Sequence, residues 1–131
     1  MTTSSLQAGS NNIVALYLGD SSFAPSNSGT ITVTLYTTSN VRGANLSGTN
    51  FSGLNLSGVN LLGTNLSGST LQNTNLSGSN LKGANVSGGN LSGANLSSTN
   101  LQGSNLQNVD LSGANLSGAN LSGADLTGAN L

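Results

Sequence analysis

The chain has 131 residues, of which only 4% are charged, and its formal net charge at pH 7 is -1. An average globular protein has roughly 25% charged residues, so this surface offers little electrostatic attraction for nucleic acid or anionic membrane. The length predicts a single domain with a modest core.

Chemically reactive side chains are scarce. The sequence has no Cys, no His and no Glu, and its acids are Asp20, Asp110 and Asp125. A disulfide, a thiolate nucleophile and a Cys/His metal site are therefore excluded. The groups that usually transfer protons are also missing. We predict a protein that is not an enzyme and uses no cofactor or metal.

Residues 1–38 do not repeat and are predicted to form a small N-terminal β-hairpin. Ile13 to Leu18 is an apolar run typical of a buried strand, and Thr30 to Thr37 alternates apolar residues with Thr as a half-buried strand does. Gly19 to Gly29, which contains Pro25, is the predicted connecting loop. The hairpin would act as a cap on the remaining chain or as an attachment and oligomerisation element. Its candidate docking residues are Ile13, Val14, Leu16, Tyr17, Leu18, Ile31, Val33, Leu35 and Tyr36.

The N-terminal segment carries no targeting signal that we can identify. Met1 to Asn12 is polar and lacks Lys and Arg, and the longest apolar run, Ile13 to Leu18, is far shorter than the roughly 20 residues of a transmembrane helix. We expect neither a secretory signal nor a membrane anchor. A role outside the cell would require release by lysis or a non-classical route.

From residue 39 to residue 131 the chain repeats every five residues without an insertion. Each unit is centred on an apolar residue, here called position i, as in Asn45-Leu46-Ser47-Gly48. Apolar residues spaced by five spiral around an α-helix, and they alternate between the two faces of a strand. The repeat therefore predicts one turn per unit, made by Asn, Ser and Gly, so that every Leu faces a shared interior.

Position i supplies the predicted core. Position i−2 is small or apolar and shares the inward face, whereas the other three positions are nearly all Asn, Ser, Gly or Gln and point outward. Phe51, which is bulkier than Leu, is expected to plug the first coil. The core residues are Leu46, Phe51, Leu56, Leu61, Leu66, Leu71, Leu76, Leu81, Val86, Leu91, Leu96, Leu101, Leu106, Leu111, Leu116, Leu121 and Leu126.

Units such as Ala44-Asn45-Leu46-Ser47-Gly48 resemble the pentapeptide-repeat family, whose motif is A(D/N)LXX. The resemblance covers residues 39–131. It implies an all-β fold, a right-handed quadrilateral β-helix with four units per coil. About four and a half coils at the strand spacing of about 4.8 Å would make a rod on the order of 20 Å tall.

Three surface features have plain structural interpretations. The ten Asn-X-Ser triplets match the glycosylation pattern, but Asn-Leu-Ser is the repeat itself. Asp110 and Asp125 occupy the Asn position of the motif, so we interpret them as corner residues and not as ligands. Arg42 and Lys82 are interpreted as two isolated charges on a neutral surface.

The repeat reaches Leu131 without a charged or irregular cap, although solenoids normally need one. Head-to-tail stacking, a symmetric dimer or a partner protein would cover that edge. We therefore expect protein partners and a homo-oligomer, with neither nucleic acid nor membrane as a partner.

Three classes of function remain open. The preferred one is a structural or assembly protein docked through residues 1–38, such as a capsid decoration (cement) protein of a phage virion, a tail component or a filament subunit. Its location would be the virion or another extracellular assembly. The second is a DNA mimic that binds gyrase, as the family resemblance suggests, although the rod has few acids. The third is an ice-binding surface, which would need outward Thr.

Overall fold

The computed structural model describes residues 41–131. The predicted N-terminal hairpin, its candidate docking residues and the domain boundary at residue 38 lie outside the described residues. Those that are described form no helix and no extended strand. Every unit instead has a turn at positions i+1 and i+2 and a single bridging residue at i−1.

The turn in each unit depends on a left-handed residue at position i+2. Gly48 has a φ of 67°, and the N–H of Thr49 donates to the carbonyl of Leu46 at 3.3 Å. A positive φ at the third residue but not at the second, with a bond between the first and the fourth, defines a type II turn. The same φ recurs in every unit from Gly43 to Gly128. The chain thus bends once per five residues, as the spacing of the leucines predicts.

Four bends make one coil. Parallel bridges join residues twenty apart, from Asn45 with Asn65 to Asp110 with Asn130. The described residues therefore form a four-sided β-helix whose coils stack in register.

Backbone hydrogen bonds between coils recur in every unit. Leu66 and Gly68 donate their N–H groups to the carbonyls of Asn85 and Ser87 in the next coil, at 2.6 and 2.9 Å. The N–H of Asn65 donates in the opposite direction, to the preceding coil, at 2.9 Å. Each side of the rod is thus a short parallel ladder.

In each unit the N–H at i+1 has no backbone acceptor, and the side chain of Asn at i−1 accepts it instead. Asn65 Oδ1 accepts the N–H of Ser67 at 3.1 Å, which forms an Asx turn. With the turn bond from Thr64 N–H to Leu61 at 3.1 Å, all five N–H groups of residues 64–68 are paired. Because unpaired backbone groups are expensive to bury, this accounting explains the near-constant Asn.

The interior of the rod is filled by positions i and i−2. Residues at position i are at most 4% exposed as far as Leu111. At i−2 six buried residues are Thr or Ser, and their hydroxyls bond to the backbone, as Thr74 Oγ1 does to the carbonyl of Phe51 at 2.8 Å. No buried side-chain N or O atom within residues 41–131 lacks a partner. The buried predicted core residues are Leu46, Phe51, Leu56, Leu61, Leu66, Leu71, Leu76, Leu81, Val86, Leu91, Leu96, Leu101, Leu106 and Leu111.

The last three predicted core positions differ from the others. Leu116, Leu121 and Leu126 face the interior side of the final coil but are only partly buried, and Leu131 is 78% exposed. No further described coil stacks on the C-terminal side of these residues. Leu116, Leu121 and Leu126, which the repeat assigns to the predicted core, are therefore less buried than the other core residues.

Truncation of a central leucine should destabilise the rod strongly. Leu91 is fully buried, so Leu91→Ala leaves a cavity and should lower the free energy of unfolding by about 2–5 kcal/mol. Leu131→Ala removes the same atoms from an exposed site and should change it by less than about 0.5 kcal/mol. Urea titrations followed by circular dichroism measure both. Equal losses would contradict the assignment of the core.

The left-handed position also couples neighbouring coils. Asn73 has a φ of 56°, and its side chain lies where a Cβ on Gly93 would be placed. A Cβ on Gly103 would meet no atom within 4 Å. Ala at either glycine should cost about 1–2 kcal/mol for the left-handed backbone, but only Gly93→Ala must also displace Asn73.

A double-mutant cycle tests this coupling. Asn73→Gly should recover at least about 0.5 kcal/mol of the loss caused by Gly93→Ala, since it removes the obstructing side chain. With Gly103→Ala, on another corner, the effects should add. Additivity in both pairs, measured by urea unfolding, would show that Asn73 does not occupy the space above its corner.

Candidate binding surface

The outward side chains at position i+1 form four columns along the rod, because residues twenty apart stack. Most of them are Ser, as in the column Ser57, Ser77, Ser97 and Ser117. Departures from Ser and Thr occur at Arg42, Leu62, Gln72, Lys82, Gln102 and Gln107. Four of these six lie in a single column, which we call the long-chain column. Its members are Arg42, Leu62, Lys82, Gln102 and Ser122.

Backbone hydrogen bonds fix the register of the long-chain column. Gly43 N–H donates to the carbonyl of Leu62 at 3.0 Å, Gly63 N–H to that of Lys82 at 2.9 Å, and Gly83 N–H to that of Gln102 at 2.9 Å. Successive members therefore occupy adjacent coils, about 4.8 Å apart. The long side chains form one stripe parallel to the rod axis.

Both cations of the chain belong to this stripe. Arg42 and Lys82 are exposed, and Leu62 lies between them, partly buried. The two charges that we interpreted as isolated therefore share one column, with Leu62 between them. They are forty residues apart in sequence, which corresponds to two coils of four units each.

The Asn side chains at i−1 form ladders on the same outer surface. On one side Asn75, Asn95 and Asn115 each donate Nδ2 to the Oδ1 of the Asn in the preceding coil, at 3.1, 3.2 and 3.4 Å. Oδ1 of Asn75 and of Asn95 also accepts the N–H of the following Ser. These contacts give the Asn-X-Ser triplets a structural role.

The five-residue repeat matches a known protein family. The model for pentapeptide repeats matches residues 39–73, 60–97 and 94–131, in eight copies. The chain belongs to the pentapeptide repeat family. No curated protein matches the sequence.

Solved structures of pentapeptide repeat proteins confirm the predicted right-handed quadrilateral β-helix. One from the Arabidopsis thaliana thylakoid lumen is 31% identical, with a TM-score of 0.54 and an alignment covering 70% of each chain. Another, from Nostoc Pcc 7120, is 43% identical, with a TM-score of 0.58, over 59% of this chain and 64% of that chain. QnrB1, a plasmid-mediated fluoroquinolone resistance protein, is 26% identical over 67% of this chain and 53% of that chain, but its TM-score of 0.34 is too low to bear on function.

The two described acids take the Asn position of the pentapeptide motif and use it in the same way. Asp110 Oδ1 accepts the N–H of Ser112 at 3.0 Å and Nδ2 of Asn130 at 3.0 Å. The bond from the backbone of Ser112 is the main cause that lowers the pKa of Asp110. The pKa of Asp125 is lowered chiefly by the hydroxyl of Thr127 and next by Gln107, whose Nε2 donates at 2.6 Å.

These lowered pKa values predict acid sensitivity. The ionised carboxylates are favoured in the fold, whereas an unfolded Asp titrates near 3.9. Their stabilisation is fully present above about pH 5 and is lost as pH falls through the lower folded-state pKa values. We expect the unfolding temperature to stay level from pH 8 to 5 and to decline below about pH 4.

The double variant Asp110→Asn, Asp125→Asn restores the common repeat residue and keeps Asp20. Its unfolding temperature should depend less on pH than that of the parent chain. If thermal melts of both proteins decline equally in acid, the ladder contacts of these two acids are not responsible.

Within residues 41–131 no three His, Cys, Asp or Glu side chains cluster as metal ligands would. The same part of the chain has no helix with the length and apolarity needed to cross a membrane. The long-chain column is therefore the feature of the described rod that departs most from the repeat.

Proposed function

We propose that this pentapeptide repeat protein is a non-enzymatic assembly module that presents a rigid lateral surface to a protein partner. The observation that carries the proposal is the long-chain column, in which the departures from Ser and Thr gather on one side. Pentapeptide repeat proteins are generally structural or binding proteins, and they often mediate interactions between proteins.

Rigidity supports a binding role. Each mid-rod unit is tied to both neighbouring coils by backbone hydrogen bonds, and its Asn side chain closes the turn. A surface already held in its bound conformation loses little conformational entropy on association. The short Ser side chains of the other columns add little entropy of their own.

The finer roles predicted from the sequence remain predictions. Attachment through residues 1–38 and a place in a phage virion belong to this proposal. Neither the fold nor the related structures give evidence of a capsid role. A DNA-mimicking role is less well supported, because a duplex carries one charge per about 1.7 Å. The two described acids, Asp110 and Asp125, lie on different sides of the rod.

Site-specific photo-cross-linking in the native host tests the proposal. A photoreactive amino acid is placed at Gln102 in the long-chain column, at Ser92 in another column, and at Tyr17 in the predicted docking segment. We expect a discrete cross-linked protein from Gln102 or Tyr17. Cross-links from none of the three positions would overturn the proposed assembly role.

A matched control keeps the fold intact. Ser occupies position i+1 in most units, so the same photoreactive residue at Ser92 should be tolerated equally well. Equal cross-linking from Ser92 and Gln102 would indicate non-specific contact and would also count against the proposal.

A further inference from the structure

We propose that the long-chain column binds an acidic segment of the partner protein, with an apolar residue of that segment seated against Leu62. This inference rests on the proposed function and names the chemistry of the partner. It is carried by the stacking of Arg42, Leu62, Lys82 and Gln102 in adjacent coils.

The two cations are spaced to act together. Two coils separate Arg42 from Lys82, which corresponds to about 10 Å between their backbones. That separation is about one Debye length at 0.1 M salt, so a ligand between them is attracted by both. No other column of the described rod contains a cation.

An acidic peptide matches this stripe in charge and in spacing. Guanidinium and ammonium groups form charge-assisted hydrogen bonds with carboxylates. In an extended chain alternate side chains share a face, so two carboxylates four residues apart lie on one face about 13 Å apart, with the residue midway between them on the same face. An apolar side chain between them would bury part of Leu62, which gives the segment hydrophobic contact as well as charge.

A second copy of the chain fits the stripe less well. Its described acids, Asp110 and Asp125, lie on two different sides of the rod and do not form one column. Both carboxylates also already accept side-chain hydrogen bonds, from Asn130 and Gln107. A partner with two free carboxylates along one line is therefore favoured over self-association.

Nucleic acid also fits less well. Affinity for a polyanion grows with the number of phosphates that cations neutralise, and the chain has only two cations, with a net charge of -1. Leu62, at the centre of the stripe, has no counterpart on a phosphate backbone.

The test uses the full chain, labelled with ¹⁵N, and a synthetic peptide of sequence Ser-Glu-Ser-Leu-Ser-Glu-Ser with blocked ends, which in an extended form places both Glu residues and the Leu between them on one face. Amide shifts of Gly43, Gly63, Gly83 and Gly103 report on the column, because each glycine follows one of its members. We expect shifts confined to these glycines and weakened by added salt. The same peptide with Lys in place of Glu should leave them unchanged.

Substitutions in the long-chain column test whether its side chains bind the peptide. Arg42→Ser with Lys82→Ser restores the residue that other columns carry and should weaken peptide binding about tenfold. Leu62→Ser should weaken it without changing its salt dependence. Gln72→Ser, in a different column, is the matched control and should bind as the parent does.

Three outcomes would overturn the inference. They are shifts spread over glycines of all four corners, unchanged binding by the Arg42→Ser, Lys82→Ser variant, and tighter binding of a twenty-residue oligothymidylate on the same glycines. Cross-links from Tyr17 but not from Gln102 would also reject this site while leaving the assembly role in place. Failure at every position would reject both.

Discussion

The left-handed residue at position i+2 is the constraint on which the rest of the rod depends. It turns the chain by one corner every five residues, and that turn brings each Leu to the interior and each carbonyl into register with the next coil. Glycine satisfies it without a steric penalty, and Asn73, Ser98 and Asn108 satisfy it in the three described units that lack glycine. Above each of these three stands a glycine, Gly93, Gly118 and Gly128. At Gly93 and Gly128 the Asn side chain of the neighbouring coil leaves no room for a Cβ, so these two corners require glycine for a reason beyond their own φ.

The same corner geometry determines which backbone N–H groups find a backbone acceptor. In a strand most N–H groups pair with a neighbouring chain, but a sharp corner every five residues leaves one N–H per unit without a backbone partner. The Asn side chain at i−1 accepts this N–H within its own unit, as Asn65 Oδ1 accepts the N–H of Ser67. Asp can replace Asn there because the acceptor oxygen is what the turn requires, and the price is a dependence on pH that an amide does not have. The same logic explains the Asn-X-Ser pattern without glycosylation.

The fold was largely predictable because the period of five conflicts with both regular elements, and only a turn in every unit resolves the conflict. The burial of Leu46 to Leu111 followed from the same pattern. Partial exposure of Leu116, Leu121 and Leu126 did not, since their place in the motif is identical to that of Leu91 and only their place in the stack differs. The long-chain column was missed for a different reason. Four units per coil, which the family resemblance implies, already place residues forty apart in one column, but Arg42 and Lys82 were interpreted as single charges and not by column.

Position i+1 is where the rod has freedom to carry recognition. Positions i and i−2 are buried and limited in volume, i−1 must supply an acceptor oxygen, and i+2 must adopt a positive φ. At i+1 the N–H is already paired with the Asn side chain, and the residue's own side chain points outward, so the fold accepts Ser, Thr, Gln, Leu, Lys or Arg there. Hydroxyls at i+1 can donate to the residue at i−1, as Ser92 does to Asn90 at 2.7 Å, but no such contact explains the gathering of Arg42, Leu62, Lys82 and Gln102 on one side. An interaction along that side would explain both their chemistry and their alignment.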